Sequence, residues 1–161
     1  MKNLQNYIPL ENDIWSGRID DIDDFDSYRW HQVVELIDIT DAQLKPHPKN
    51  LIGFCILGYC CDKGVEKNLG RSGAAKGPNH IRKELANLPV SFNKDIKLYD
   101  AGNITCISGS MEDAQLELSM AINKIFSLYL IPWAIEIYQA RNNGDENEKT
   151  EIMLEEIDEI K

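Results

Sequence analysis

Residues 57–85 read LGYCCDKGVEKNLGRSGAAKGPNHIRKEL and hold five of the ten glycines; within residues 63–83 six basic residues face one acid, Glu66, although the whole chain carries a formal net charge of -10. Guanidinium groups and glycine-permitted turns suit the capture of oxyanions. Arg71, with the backbone amides around Gly70 and Gly73, is therefore the candidate to meet a carboxylate at the carboxyl ends of sheet strands, where open α/β sheets bind ligands. A second reading needs no ligand: a long surface crossover whose glycines allow turns and whose charges are solvated. Spacing leaves both open. The two generic phosphate cradles are excluded, because GVEKNLGRS has five residues between its glycines and an arginine where a Walker loop has lysine, and no GxG occurs anywhere.

Other chemistry-bearing residues form no constellation. His31, His47 and His80 each stand without a second ligand at i+2 or i+4, and three or four convergent donors are what a metal centre requires. Cys55, Cys60, Cys61 and Cys106 include a vicinal pair but no CxxC, so they read as small buried hydrophobes rather than a disulfide framework or zinc knuckle. Asp20, Asp21, Asp23, Asp24 and Asp26 precede an apolar stripe and read as a solvated loop that favours a helix N-terminus. Asp100, in LYDAGN, reads as a turn-forming carboxylate at a strand end. No catalytic residue is assigned.

The elements that position these residues follow from periodicity. Trp30, Val33, Val34 and Ile37 recur at helical spacing, and LIGFCILGYC (51–60) is an apolar run expected of a strand buried on both faces. Gly77-Pro78 opens a helix with Ile81, Leu85 and Leu88 on one face; IKLYDAG (96–102) is a second strand. Ser110 and Asp113 resemble a capping arrangement for a helix carrying Leu118, Ala121, Ile122, Ile125 and Tyr129. IPWAIEIY (131–138) alternates as a third strand. Together these predict an α/β fold, a partial open parallel sheet of about three strands flanked by helices. Residues 1–138 form the α/β part, and 139–161, with eight acids against two lysines from Gly144 onward, an acidic tail that is helical or partly disordered.

With 161 residues and 43% apolar content the chain suffices for one core, and its acidic balance argues against nucleic acid as a partner. No apolar run approaches the roughly 20 residues of a membrane span, and no leader pattern opens the chain, so a cytoplasmic protein is expected.

WSGRIDD, RWHQ, GFCILGYCCDKGVEKNLGRSGAAKGPNHIRKELANLP and LYDAGNITC, in that order, resemble the N-terminal part of the ureohydrolase (arginase/agmatinase) family, and within it the formimidoylglutamase branch. The resemblance covers about residues 15–130. It implies a three-layer α/β/α fold, a pair of manganese ions in the full-length family, and hydrolysis of a formimino or guanidino carbon. For the formimidoylglutamase branch the products are L-glutamate and formamide, a step of histidine degradation. The family's GR-x-GA-x-x-GP-x-x-IR segment falls on Gly70, Arg71, Gly73, Ala74, Gly77, Pro78, Ile81 and Arg82. By resemblance, Asn68, Gly70, Arg71, Gly73 and Arg82 belong to a loop that shapes the substrate entrance and packs the first helix.

The family's GGGH turn, DxHxD strand end and SxDxD segment do not occur in the chain, so no metal ion is expected in it as it stands. The expectation is a truncated family member, inactive alone. Its anticipated partners are a small anionic amino acid and, through an open sheet edge, a second copy or a complementing chain. A non-catalytic interaction or anion-binding module is the alternative.

Overall fold

The computed structural model describes residues 4–11, 13–48 and 51–129. The anticipated third strand (131–138) and acidic tail (139–161) lie outside them. In chain order the elements are β1 (Tyr7–Ile8), a 3-10 turn (Phe25–Ser27), α1 (Trp30–Val33), β2 (Val34–Leu36) and β3 (Ile52–Cys60). Then follow α2 (Lys63–Lys67), a second 3-10 turn (Ala74–Lys76), α3 (Gly77–Ala86), β4 (Ile96–Thr105) and α4 (Met111–Tyr129).

β4 is the central strand. Along one edge it pairs in parallel with β3, from Ile52 opposite Ile96 to Cys60 opposite Thr105. β2 and β1 divide its other edge: β2 runs parallel beside residues 98–100, and β1 antiparallel beside residues 103–104. The α/β class stands, but β1 makes the four-stranded sheet mixed rather than parallel.

α4 covers one face. Ala114 and Ala121 are fully buried against Ile39, Ala101, Ile104 and Cys106, and Leu118 and Ile125 flank them half-buried. Two alanines at helical spacing let the helix approach the sheet closely. The helix begins with the anticipated cap: the Ser110 amide donates to Asp113 Oδ2 at 2.8 Å, and the Asp113 amide to Ser110 Oγ at 3.1 Å.

Three expectations are corrected. The stripe at Trp30, Val33, Val34 and Ile37 yields only one helical turn, because from Val34 the chain pairs with β4 and the Ile37 amide donates to the Asp100 carbonyl. β-branched residues that alternate Val-Glu-Leu fit a pleated strand better than a helix. β3 is not buried on both faces, since Ile52 and Phe54 are 59% and 58% exposed. On α3 the buried residues are Arg82 and Ala86, whereas Ile81 is exposed, and Leu88, also exposed, lies beyond the helix end at Ala86. Among the described residues no helix is long and apolar enough to cross a membrane.

Candidate functional site

A charge inside an apolar strand requires a partner, because burying it alone is costly. Asp100 and Arg82 are both 1% exposed. Arg82 Nε and Nη2 donate to the two carboxylate oxygens of Asp100 at 2.6 and 2.9 Å, a bidentate pair. Asp100 also accepts from Trp15 Nε1 at 2.9 Å and from the Gly102 amide at 3.0 Å. The remaining guanidinium donors reach Asn103 Oδ1 at 2.7 Å, Asn79 Oδ1 at 3.2 Å and the Gly102 carbonyl at 2.8 Å.

A β-bulge makes this convergence possible. Register passes from Ile56 opposite Asp100 to Gly58 opposite Asn103, so β4 carries one extra residue there. Gly102, at φ +81°, absorbs it. Asp100 and Asn103 consequently face the same guanidinium, while Ala101 and Ile104 both enter the core on the α4 side. Gly58 is the clearance opposite: a Cβ there would overlap the Asn103 carboxamide and lie 3.1 Å from Arg82 Nη1. Asp100 is thus the buried anchor of α3 rather than a turn former at a strand end.

The glycine-rich loop hangs between β3 and this anchor. Asp62, just past β3, closes it: one carboxylate oxygen accepts from the amides of Gly73 and Ala75, each at 2.9 Å. These amides, Ala75's first, hold the Asp62 carboxyl below its ordinary value. The Gly70 amide donates to the Val65 carbonyl at 2.9 Å, and Asn68 Nδ2 to the Gly64 carbonyl at 2.9 Å. Glu66, the one acid of the segment, accepts from Ser72 Oγ at 3.1 Å. Leu69, 96% exposed, holds φ +56°, a conformation unfavourable for a branched side chain.

The structure therefore separates the residues assigned to the loop. Asn68, Gly70 and Gly73 are used in folding it, and the Gly70 and Gly73 amides, expected to meet an anion, are already donated inward. Arg82 lies inside the fold and packs α3. Arg71 remains exposed and, among the described residues, its guanidinium makes no hydrogen bond or ion pair. Lys63 and Lys67 are drawn to α4's start, Lys63 Nζ donating to the Gly109 carbonyl and Lys67 pairing with Glu112 at 3.4 Å.

The N-terminal motifs converge beside the anchor. Trp15 is 7% exposed on Asp100; Gly17 leaves room for His31 and Asn87, and Asn87 Oδ1 accepts from the Arg18 amide at 2.9 Å. His31 Nε2 lies 3.0 Å from the Arg18 carbonyl, and His47 meets Tyr99 Oη and the Leu51 carbonyl at 3.0 and 2.8 Å. His80 is exposed. Three carboxylates of residues 20–26 are spent locally, Asp20 on Arg18 and Arg29, Asp21 on the Asp23 amide, and Asp24 on the turn at Asp26 and Ser27. Among the described residues no three His, Cys, Asp or Glu side chains converge as a metal site would need, so manganese is not fitted to any of them.

Asp62, Trp15 and Asp100 are absent from the site residues expected from the sequence, and Arg82, expected at the substrate entrance, is instead the buried partner of Asp100. An aspartate inside the apolar strand 96–102 was the available signal for Asp100; for Asp62 nothing in the spacing distinguishes a clasp from a solvated acid.

Comparison with known proteins matches this architecture to a family. The Arginase family model matches residues 52–135. Formimidoylglutamase of Clostridium tetani (strain Massachusetts / E88) is 49% identical over 127 residues, 79% of this chain and 37% of that protein. Formimidoylglutamase of Geobacillus sp. (strain WCH70) is 38% identical over 129 residues, 80% of this chain and 38% of that protein. That of Hahella chejuensis (strain KCTC 2396) is 40% identical over 121 residues, 75% of this chain and 34% of the relative. The chain thus spans little more than a third of the length of these relatives. With strand, clasped loop and anchored helix all inside the matched stretch, this chain belongs to the arginase family.

Proposed function

We propose that the chain supplies the N-terminal, substrate-rim portion of a formimidoylglutamase-type hydrolase. The reaction splits a C–N bond of N-formimino-L-glutamate to give L-glutamate and formamide, in histidine degradation. The observation that carries this reading is the 49% identity to a formimidoylglutamase across 79% of the chain. Within it Arg71 is the group offered to a substrate carboxylate, because it is exposed and uncommitted beside the glycine turn, whereas Lys63, Lys67 and Arg82 are engaged. The two manganese ions of the full-length family would supply an activated water; no step is assigned to them on the described residues.

The test is manganese-supplemented formamide release, by the chain alone and after mixing with the remaining portion of the Clostridium tetani relative. Release is expected only in the mixture, with Arg71→Ala raising KM by roughly one to two orders of magnitude. No release in a mixture that forms a stable complex overturns the reading. Release by the chain alone would place a complete catalytic centre within the 161 residues and overturn its inactivity in isolation.

A second reading, an association module, is favoured by one observation: β3 exposes Ile52 and Phe54, and among the described residues nothing pairs with its outer edge. Concentration-dependent mass in solution tests it.

A further inference from the structure

β3 and β4 run in parallel with Tyr59 opposite Ile104 and Cys60 opposite Thr105. Continued one residue past the last paired positions, this register would put Cys61 opposite Cys106. Neighbouring strands lie about 4.8 Å apart, inside the roughly 4.4–6.8 Å Cα separation that a disulfide spans without backbone movement. Paired residues share a face, and both cysteines pack on the same cluster beneath α4. Their side chains stand close enough to influence each other's protonation, and the Cys106 thiol donates to the Ser110 carbonyl at 3.8 Å. The Tyr59 hydroxyl is buried with no hydrogen-bond partner among the described residues, and Cys61 is its neighbour. The Lys63 ammonium stands beside Cys106.

We propose that Cys61 and Cys106 are a peroxide-reactive thiol pair, Cys61 the attacking sulfur and Cys106 the resolving one, which closes to a disulfide across the ends of β3 and β4.

The four thiols are not equivalent. Burial pushes the Cys61 thiol up, but the neighbouring Cys106 and Tyr59 side chains and the amides of Lys63 and Gly64 outweigh it and leave the thiol below its usual value. Burial, then the neighbouring Cys61, pushes Cys106 up, so it remains the proton donor of the pair. Burial, then the Asp100 charge, lifts Cys55 to about 12, and burial raises Cys60. The thiolate is the nucleophile, and Cys61 is half-buried rather than sealed.

The chemistry balances with a hydroperoxide as oxidant. The Cys61 sulfur attacks one peroxide oxygen; the S–O bond forms, the O–O bond breaks, and the departing hydroxide takes the Cys61 proton as water. The Cys106 sulfur then attacks the Cys61 sulfur; the S–S bond forms, the S–O bond breaks, and hydroxide leaves with the Cys106 proton as a second water. Two thiols lose two electrons and one peroxide becomes two waters. Asp62, the loop clasp, adjoins Cys61, so the bond would tie the root of the glycine-rich loop to the start of α4.

The test uses the reduced 161-residue chain with one equivalent of hydrogen peroxide. Expected are the loss of two of four titratable thiols, a mass decrease of about 2 Da, and a tryptic link between peptides 50–63 and 98–124. Cys60→Ser and Cys55→Ser should retain the link. Cys106→Ser should instead leave a dimedone-trappable sulfenic acid on Cys61, and Cys61→Ser should lose the fast reaction. A link that survives Cys61→Ser, a Cys60–Cys61 bond, or equal consumption of all four thiols overturns the proposal. Far-ultraviolet circular dichroism of each serine variant separates misfolding from lost reactivity; if Cys61→Ser misfolds, the link and trapping results on the other variants decide.

Discussion

Asp100 sits among apolar neighbours in a central strand, and Arg82, ten-residue α3's only buried charge, answers it with two hydrogen bonds. Such a pair is not evidence of high stability, because desolvation offsets much of the attraction; removing one partner is another matter. Arg82→Met should lower unfolding stability in urea by about 3–5 kcal/mol, since it strands a buried carboxylate. Arg82→Met combined with Asp100→Leu should recover part of this, with a residue of about 1–3 kcal/mol because the Trp15 indole N–H and the Gly102 amide lose their acceptor. Tryptophan fluorescence reads both. A single variant within about 0.5 kcal/mol of the parent would show that the pair does not anchor α3.

At the scale of elements, the strands and helices that bury apolar side chains were legible: 51–60 and 96–102 emerge as β3 and β4, and the helices after Pro78 and Ser110 begin where their signals stand. What escaped depends on partners distant in sequence. Val34 to Leu36 joins the sheet because β4 is available to it, and Ile81 faces outward because Arg82 turns α3's neighbouring face to Asp100. The bulge at Gly102 reverses which residues of β4 face α3, and an apolar run cannot announce that. The resemblance located the loop but not its clasp. Asp62's carboxyl is held below 3.8 by the Ala75 and Gly73 amides, so its folded value is depressed. Its contribution is therefore present above the ordinary carboxylate range and is lost only as pH falls through the lowered value. Between pH 5 and pH 8 the loop should stay closed, whereas Asp62→Ala should open it at neutral pH. Hydrogen exchange at the Gly73 and Ala75 amides should then rise severalfold while β4 exchanges as before; unchanged exchange at both would remove the clasp from the account.

For the molecule as a whole, the described sheet is finished on one side and open on the other. α4 covers the face holding Ala101 and Ile104, and β1 with β2 fills one edge of β4. On the other edge β3 ends the sheet among the described residues, and its alternate positions 52 and 54 present Ile and Phe to solvent more than half exposed. An unpaired edge with apolar side chains is a template for another strand, and nothing basic or proline-bearing inside residues 52–60 blunts it. The acidic charge of -10 opposes close approach of two copies, so association should strengthen as salt screens it. Sedimentation equilibrium should show mass rising with protein concentration, more steeply at 0.5 M salt than at about 0.05 M, where the screening length is several times longer. Phe54→Lys, which puts a cation on the edge without touching the Arg82–Asp100 anchor, should return the chain to monomer at both. A monomer at every concentration and salt would mean that the edge is already covered from within the chain, and the association reading would fall while the family assignment stood.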